Sequence, residues 1–167
     1  MIIVGIDNGL DGGLAAISSH TGELIDRIKM PTKKVGNKRE VDSYNVYRWL
    51  CDLHSSYVLA VEEPLAHAKS SQAVRSMALS FGKLAGMAES RVQKFERVPV
   101  RVWQKAMLGK VPRGETKAYA LAKANELCPD ENWLASERAK KPHDGIIDAY
   151  LIARHYWANE HTRYTRR

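Results

Sequence analysis

The chain opens on an uninterrupted apolar run, Ile2-Ile3-Val4-Gly5-Ile6, that stops at a carboxylate, Asp7. A short run of this kind, bounded by turn residues, reads as a core strand over residues 2–7. A second strand is expected over 13–18, and a third over 23–30, where apolar and polar positions partly alternate. Only short glycine-containing links, Asn8–Gly12 and Ser19–Gly22, separate the three, which predicts an antiparallel meander. Residues 31–40 are rich in proline, glycine and lysine and read as a mobile basic loop.

Helical spacing of Val46, Trp49, Leu50 and Leu53 predicts a helix over about 42–54. A fourth strand, 57–62, ends before Pro64, and a long helix follows over about 70–91 with Ala73, Met77, Leu84 and Met87 on its apolar side. Gly82 and Gly86 in that helix leave a notch for close backbone approach, by a partner or by the protein's own sheet. A fifth strand is expected at about 94–100, then helices at about 100–108, 115–127 and 144–158. A helix between the third and fourth strands places strand four parallel to strand one. The expected architecture is α/β: a five-stranded mixed sheet, three antiparallel strands then two parallel, flanked by helices. Residues 1–158 form one domain in this reading, and 159–167 form a basic C-terminal tail.

At 167 residues, a single domain buries roughly 70% of its unfolded surface. The hydrophobic fraction of 44% and charged fraction of 27% are those of a globular protein. No apolar stretch approaches the roughly 18–20 residues of a membrane helix, and the opening run lacks the basic flank of a signal peptide. Cys51 and Cys128 have no CxxC partner and read as reduced thiols of a cytoplasmic protein. The net charge of +7 changes the picture more. Such a surplus suits a phosphate backbone or an acidic membrane, and no basic amphipathic helix with aromatic anchors favours the membrane.

The candidate chemistry lies in carboxylates at the ends of apolar segments. Asp7 ends the first strand, Glu62 and Glu63 end the fourth, and Asp144 and Asp148 lie four residues apart on the last helix. Adjacent parallel strands would bring Asp7 and Glu62 to one sheet edge, the edge at which open α/β sheets bind ligands. Packing the last helix on strand one would add its first turns. Oxygen-rich clusters suit Mg²⁺ or Mn²⁺, and two such ions about 4 Å apart activate water and stabilise the leaving oxygen in phosphodiester hydrolysis. His143 is either an auxiliary ligand or proton shuttle, or a solvated helix-start residue.

Each acid alone has a plainer explanation. Asp-Asn-Gly favours a tight turn, and one of Glu62 and Glu63 suits a strand-end surface position. Asp144 suits the first turn of a helix through the helix dipole. Asp148, embedded in Gly-Ile-Ile-Asp-Ala-Tyr-Leu-Ile-Ala, has a structural salt bridge as its rival explanation. Together they are far more specific than any one.

Gly5-Ile-Asp-Asn-Gly9, Ala60-Val-Glu-Glu-Pro64 and His143-Asp-Gly-Ile-Ile-Asp148 together resemble the RuvC-type Holliday junction resolvases of the RNase H-like superfamily. The Glu-Glu-Pro and His-Asp-Gly forms look most like the small bacteriophage members. The resemblance implies that Asp7, Glu62 and Asp148 are metal-binding acids, with Asp144 or His143 as the fourth group and two metal ions per site. Several cellular members place an acid or histidine three residues before the last aspartate, where this chain has Gly145. Some carry an aromatic shortly after the glutamate, where this chain has Leu65.

Lys105 and Lys117 look like the family's basic residues. Lys110, Arg113, Lys140 and Lys141 extend that surface, and further cations occur at 29–39 and in the tail. The implied protein is a homodimeric, Mg²⁺-dependent endonuclease acting on four-way and other branched DNA. A nuclease for RNA or RNA–DNA hybrid, and a catalytically silent junction-binding protein, are the alternatives.

Overall fold

The apolar runs form strands where expected in the structure, a computed structural model that describes residues 1–64, 70–91 and 93–165. In chain order the elements begin with β1 (Ile2–Asp7), β2 (Gly13–Ser18), β3 (Leu24–Lys29), β4 (Thr32–Val35), β5 (Lys38–Val41) and α1 (Ser43–Asp52). They continue with β6 (Tyr57–Glu62), α2 (Ser71–Glu89), β7 (Lys94–Val98), α3 (Val100–Leu108), α4 (Thr116–Leu127) and α5 (Asp144–Thr165). Five strands make one sheet in the order β3-β2-β1-β6-β7. The β1–β2 and β2–β3 pairs are antiparallel, and β1–β6 and β6–β7 are parallel, as predicted. The continuous apolar runs lie inside the sheet with both faces covered, whereas the partly alternating β3 is an edge.

Side-chain alternation splits the core into two layers and decides where the acids point. Ile2, Val4 and Ile6 of β1 pack with Leu59 and Val61 of β6 on the side covered by α1 and α2. Ile3, Val58 and Ala60 pack on the opposite side with Ile146, Ala149, Tyr150 and Ala153 of α5. Asp7 and Glu62 continue this second series by period two, so both emerge toward α5. The approach of α5 depends on Gly5, because a Cβ there would overlap the Ala149 carbonyl oxygen and stand 2.6 Å from Ala153 N.

Three expectations change. Residues 31–40 are not a mobile loop: β4 and β5 pair as a separate antiparallel hairpin whose turn holds Gly36 at φ +60°. Buried Met30 and Val41 anchor its ends, and Lys83 Nζ of α2 binds Glu40 Oε2 at 2.5 Å. The lysines and glycine that suggested a loop also suit an exposed two-stranded ribbon, whose edges favour charge. The last helix does not end at 158 but continues to Thr165, so residues 159–165 of the expected tail are helical. Arg166 and Arg167 lie outside the described residues. The notch at Gly82 and Gly86 does not receive the protein's own sheet, for no described neighbour comes within 4 Å of a Cβ at either position. The helix buries Ser80, Leu84 and Ala88 instead, leaving Met77 and Met87 half-buried.

Candidate active site

Acids from three distant segments come within electrostatic reach of one another at the carboxyl end of the central parallel strands. Pairing of β1 with β6 ends at Ile6↔Val61, so Asp7 and Glu62 follow one residue further along adjacent strands. Glu62 is only 9% exposed and belongs to the site, whereas Glu63 lies beyond it and donates its backbone N–H to Val98 O at 2.9 Å. Asp148 arrives from the second turn of α5. That turn can lie against the loop following β1 because Gly13 and Gly145 lack side chains there. A Cβ at Gly145 would overlap Gly12 Cα and stand 2.5 Å from Asp11 O. No acid fits three residues before Asp148 in this chain, and the nearest carboxylate on that turn is Asp144.

Hydrogen bonds and an ion pair orient Asp7, Glu62, Asp144 and His143. Asp7 Oδ1 accepts the Gly9 N–H at 3.0 Å, so Asp7 is both the turn residue and a member of the cluster. Trp103 Nε1, on α3, donates to Glu62 Oε1 at 2.9 Å, and Asn8 Nδ2 donates to the Glu62 carbonyl at 2.7 Å. Asp144 is exposed and forms an ion pair with Lys117 of α4. His143 Nδ1 accepts the Ile146 N–H at 3.3 Å across the first turn of α5, which leaves Nε2 as its other polar atom.

The acids act on one another electrostatically. Burial, then the charge of Asp7, pushes Glu62 up to about 8, against the pull of the Trp103 hydrogen bond. Burial, then Asp7 and Asp144, pushes Asp148 up to about 7, with Lys117 opposing. Asp7 is also raised, by burial first, while the Gly9 N–H and His143 lower it.

Mutually repelling oxygen donors are what a hard divalent cation relieves, and Asn8 Oδ1 beside them is buried with no hydrogen-bond partner among the described residues. The donor set therefore fits Mg²⁺ or Mn²⁺. Among the described residues, no three His, Cys, Asp or Glu side chains are drawn together as a finished ligand cluster. Glu62 is engaged by Trp103 and Asp144 by Lys117.

A pH dependence follows. In the metal-free fold Glu62 and Asp148 hold protons that the unfolded chain, with ordinary values of 4.5 and 3.8, has released. Their contribution to stability is full below about pH 4 and is lost as pH rises through about 7 and then 8. Cation binding offsets this loss and needs the ionised acids. Mn²⁺ at a hundredfold excess over its Kd contributes about 2.7 kcal/mol, a Tm rise of about 5–10 °C for a chain of this size. That rise should appear at pH 8.5 and shrink sharply at pH 5.5 in thermal melts. Equal shifts at both would contradict the site.

Lys105 lies on α3, Lys110 and Arg113 in the α3–α4 connection, and Lys140 and Lys141 just before α5, all exposed. Of the candidate cations, Lys117 is the one tied directly to an acid of the site. The hairpin reaches the same region through Arg39, which pairs with Asp11 at 2.5 Å. Leu65 lies outside the described residues. Two residues at the site had drawn no chemical role from sequence: Asn8, read only as part of a turn, and Trp103. The available signal for Trp103 is general, since a buried indole needs an acceptor for its N–H.

The sheet order and the helix lying over β1 and β2 give an RNase H-like fold. The fold is similar to that of Thermus thermophilus RuvC in complex with a Holliday junction substrate, with a TM-score of 0.63 and 15% identity over 96% of each chain. A second structure of Thermus thermophilus RuvC gives a TM-score of 0.60 and 13% identity over 97% of each chain. At the level of sequence, no protein-family model and no curated protein matches. At this identity the likeness shows the fold alone, which is RuvC-like.

Proposed function

We propose that this protein is a divalent-metal-dependent, structure-selective DNA endonuclease that resolves four-way junctions by paired nicks. The observation that carries this reading is the meeting of Asp7, Glu62 and Asp148 from distant segments at one end of a RuvC-like sheet. A structural neighbour bound to a Holliday junction substrate supports that substrate class.

Asp7, Glu62 and Asp148, with Asp144 beside them, would hold two Mg²⁺ or Mn²⁺ ions. When bound, these ions supply water activation and stabilise charge on the leaving oxygen. The chain's own groups do the rest. Lys117 balances the charge of Asp144 and lies close enough to Asp148 to feel its charge, where it also suits a phosphate. His143, whose Nδ1 holds the helix start, would serve through Nε2 as an auxiliary ligand or proton carrier. The expected products have 5′-phosphate and 3′-hydroxyl ends. Two symmetric nicks require two sites, which a homodimer supplies, and the open Gly82–Gly86 face of α2 offers a surface for it. Among the described residues, no helix is long and apolar enough to cross a membrane.

The test is cleavage of a four-way junction, duplex DNA, RNA–DNA hybrid and folded RNA in Mg²⁺. Symmetric, ligatable nicks in the junction are expected. Preference for the hybrid would move the substrate to RNA, and tight junction binding without any cleavage would make it a binding protein.

Phosphate contact by the exposed cations has its own signature. Arg113→Ala and Lys141→Ala should weaken junction binding whatever the sequence of the arms. Each should lower the slope of log affinity against log salt by about one. Salt titrations of binding check this, and an unchanged slope would remove these residues from the interface.

A further inference from the structure

Resting on that metal-centre reading, we infer that Trp103 and Asn8 are positioning residues for Glu62, presenting one free carboxylate oxygen to the cation site. Glu62 needs such support because the β1–β6 ladder stops at Ile6↔Val61, one residue before the two strand-end acids. Beyond that point no sheet pairing holds the Asp7 and Glu62 backbones together. The Asn8 amide replaces the missing rung, donating to the Glu62 carbonyl at 2.7 Å from a fully buried position. On the other side β6–β7 pairing runs on to Glu62↔Val98. The Glu62 backbone is thus tied to both neighbouring strands.

Trp103 fixes the side chain. It is the buried residue of α3, with 0% exposure, and its Nε1 lies 2.9 Å from Glu62 Oε1. An indole N–H only donates, so it favours the anion and cannot itself take a ligand position. With Oε1 held, Oε2 is the oxygen left to meet a cation, and rotamer freedom has been given up before binding. Phenylalanine would supply part of the packing and none of the hydrogen bond. Because α3 also packs against α4 and α5, Trp103 links the Lys105 helix to the acids.

Trp103→Phe keeps most of the ring volume and deletes the donor, and Asn8→Ala deletes the rung. Mn²⁺ binding without DNA, followed by electron paramagnetic resonance, should weaken about tenfold in Trp103→Phe, the scale of a hydrogen bond to a charged group, and about threefold in Asn8→Ala, which loses a bond to a neutral carbonyl. The Mn²⁺ concentration for half-maximal junction cleavage should rise by the same factors, with lost rate regained as Mn²⁺ is raised. A packing defect would instead lower the rate at every Mn²⁺ concentration. Wild-type Mn²⁺ affinity in Trp103→Phe overturns the inference, as does a rate that no Mn²⁺ restores. Should Trp103→Phe not fold, Asn8→Ala decides by the same criteria. A wild-type protein that binds no Mn²⁺ refutes the metal centre itself, a separate result.

Discussion

Asp148→Asn should abolish junction cleavage, by about a thousandfold or more, while junction binding stays within a few-fold of wild type. The same variant, freed of metal at pH 8.5, should melt at a higher temperature than wild type. Both halves come from one feature. Asp148 is a partly buried carboxylate pushed up to about 7 by burial and by the nearby charges of Asp7 and Asp144. Above that pH the metal-free fold carries an uncompensated repulsion that asparagine removes. A gain of roughly 3–6 °C is expected, since each kcal/mol moves Tm by about 2–4 °C in a chain of this size. The loss of rate follows because, in the proposed function, the repelling charges would hold the catalytic cation, and removing one preorganised charged group typically costs a factor of hundreds or more. Asp7→Asn should behave alike. Cleavage assays, junction-binding titrations and melts on one preparation check all three parts. Near-wild-type cutting, or a clear fall in metal-free Tm, would show that Asp148 serves the fold through a salt bridge.

Gly145→Asp should fail, although it places an acid where several cellular RuvC-type members carry one. Any Cβ at position 145 overlaps Gly12 Cα and crowds Asp11 O, so the first turn of α5 must lift off the loop beyond Asp7. Gly5→Ala meets the same obstacle one layer deeper, against the Ala149 carbonyl oxygen and Ala153 N. These contacts are backbone atoms that no rotamer change can move, so each variant should lose about 3 kcal/mol or more and melt about 6–12 °C lower. Asp144→Asn is the control, being exposed on the helix surface, and should melt within a few degrees of wild type. If Gly145→Asp folded normally and cut well, the placement of α5 on β1 would be wrong.

Much of this arrangement was legible in the chain because it is periodic. Alternation along β1 and β6 puts Asp7 and Glu62 on one face once the strands are known to be parallel, and a spacing of four puts Asp144 and Asp148 on one side of α5. The hairpin at 32–41 was not legible. Its pairing satisfies backbone groups by contact between two short strands rich in basic residues, and that composition describes a loop equally well. Trp103 was hidden for a different reason. Its role lies in one hydrogen bond to a residue 41 positions away, and nothing local in α3 signals the partner. The extent of α5 was misjudged because polar residues beyond 158 continue a helix that no longer has a core to cover.

Order and type of the central elements and the faces on which the acids lie were written in local patterns, since a strand or helix repeats its faces at short, known intervals. Burial and distance are sums over parts of the chain far apart in sequence. For that reason it took the folded arrangement to bury Glu62 while leaving Glu63 beyond it, to raise the proton affinity of Glu62 and Asp148, and to exclude a side chain at Gly145.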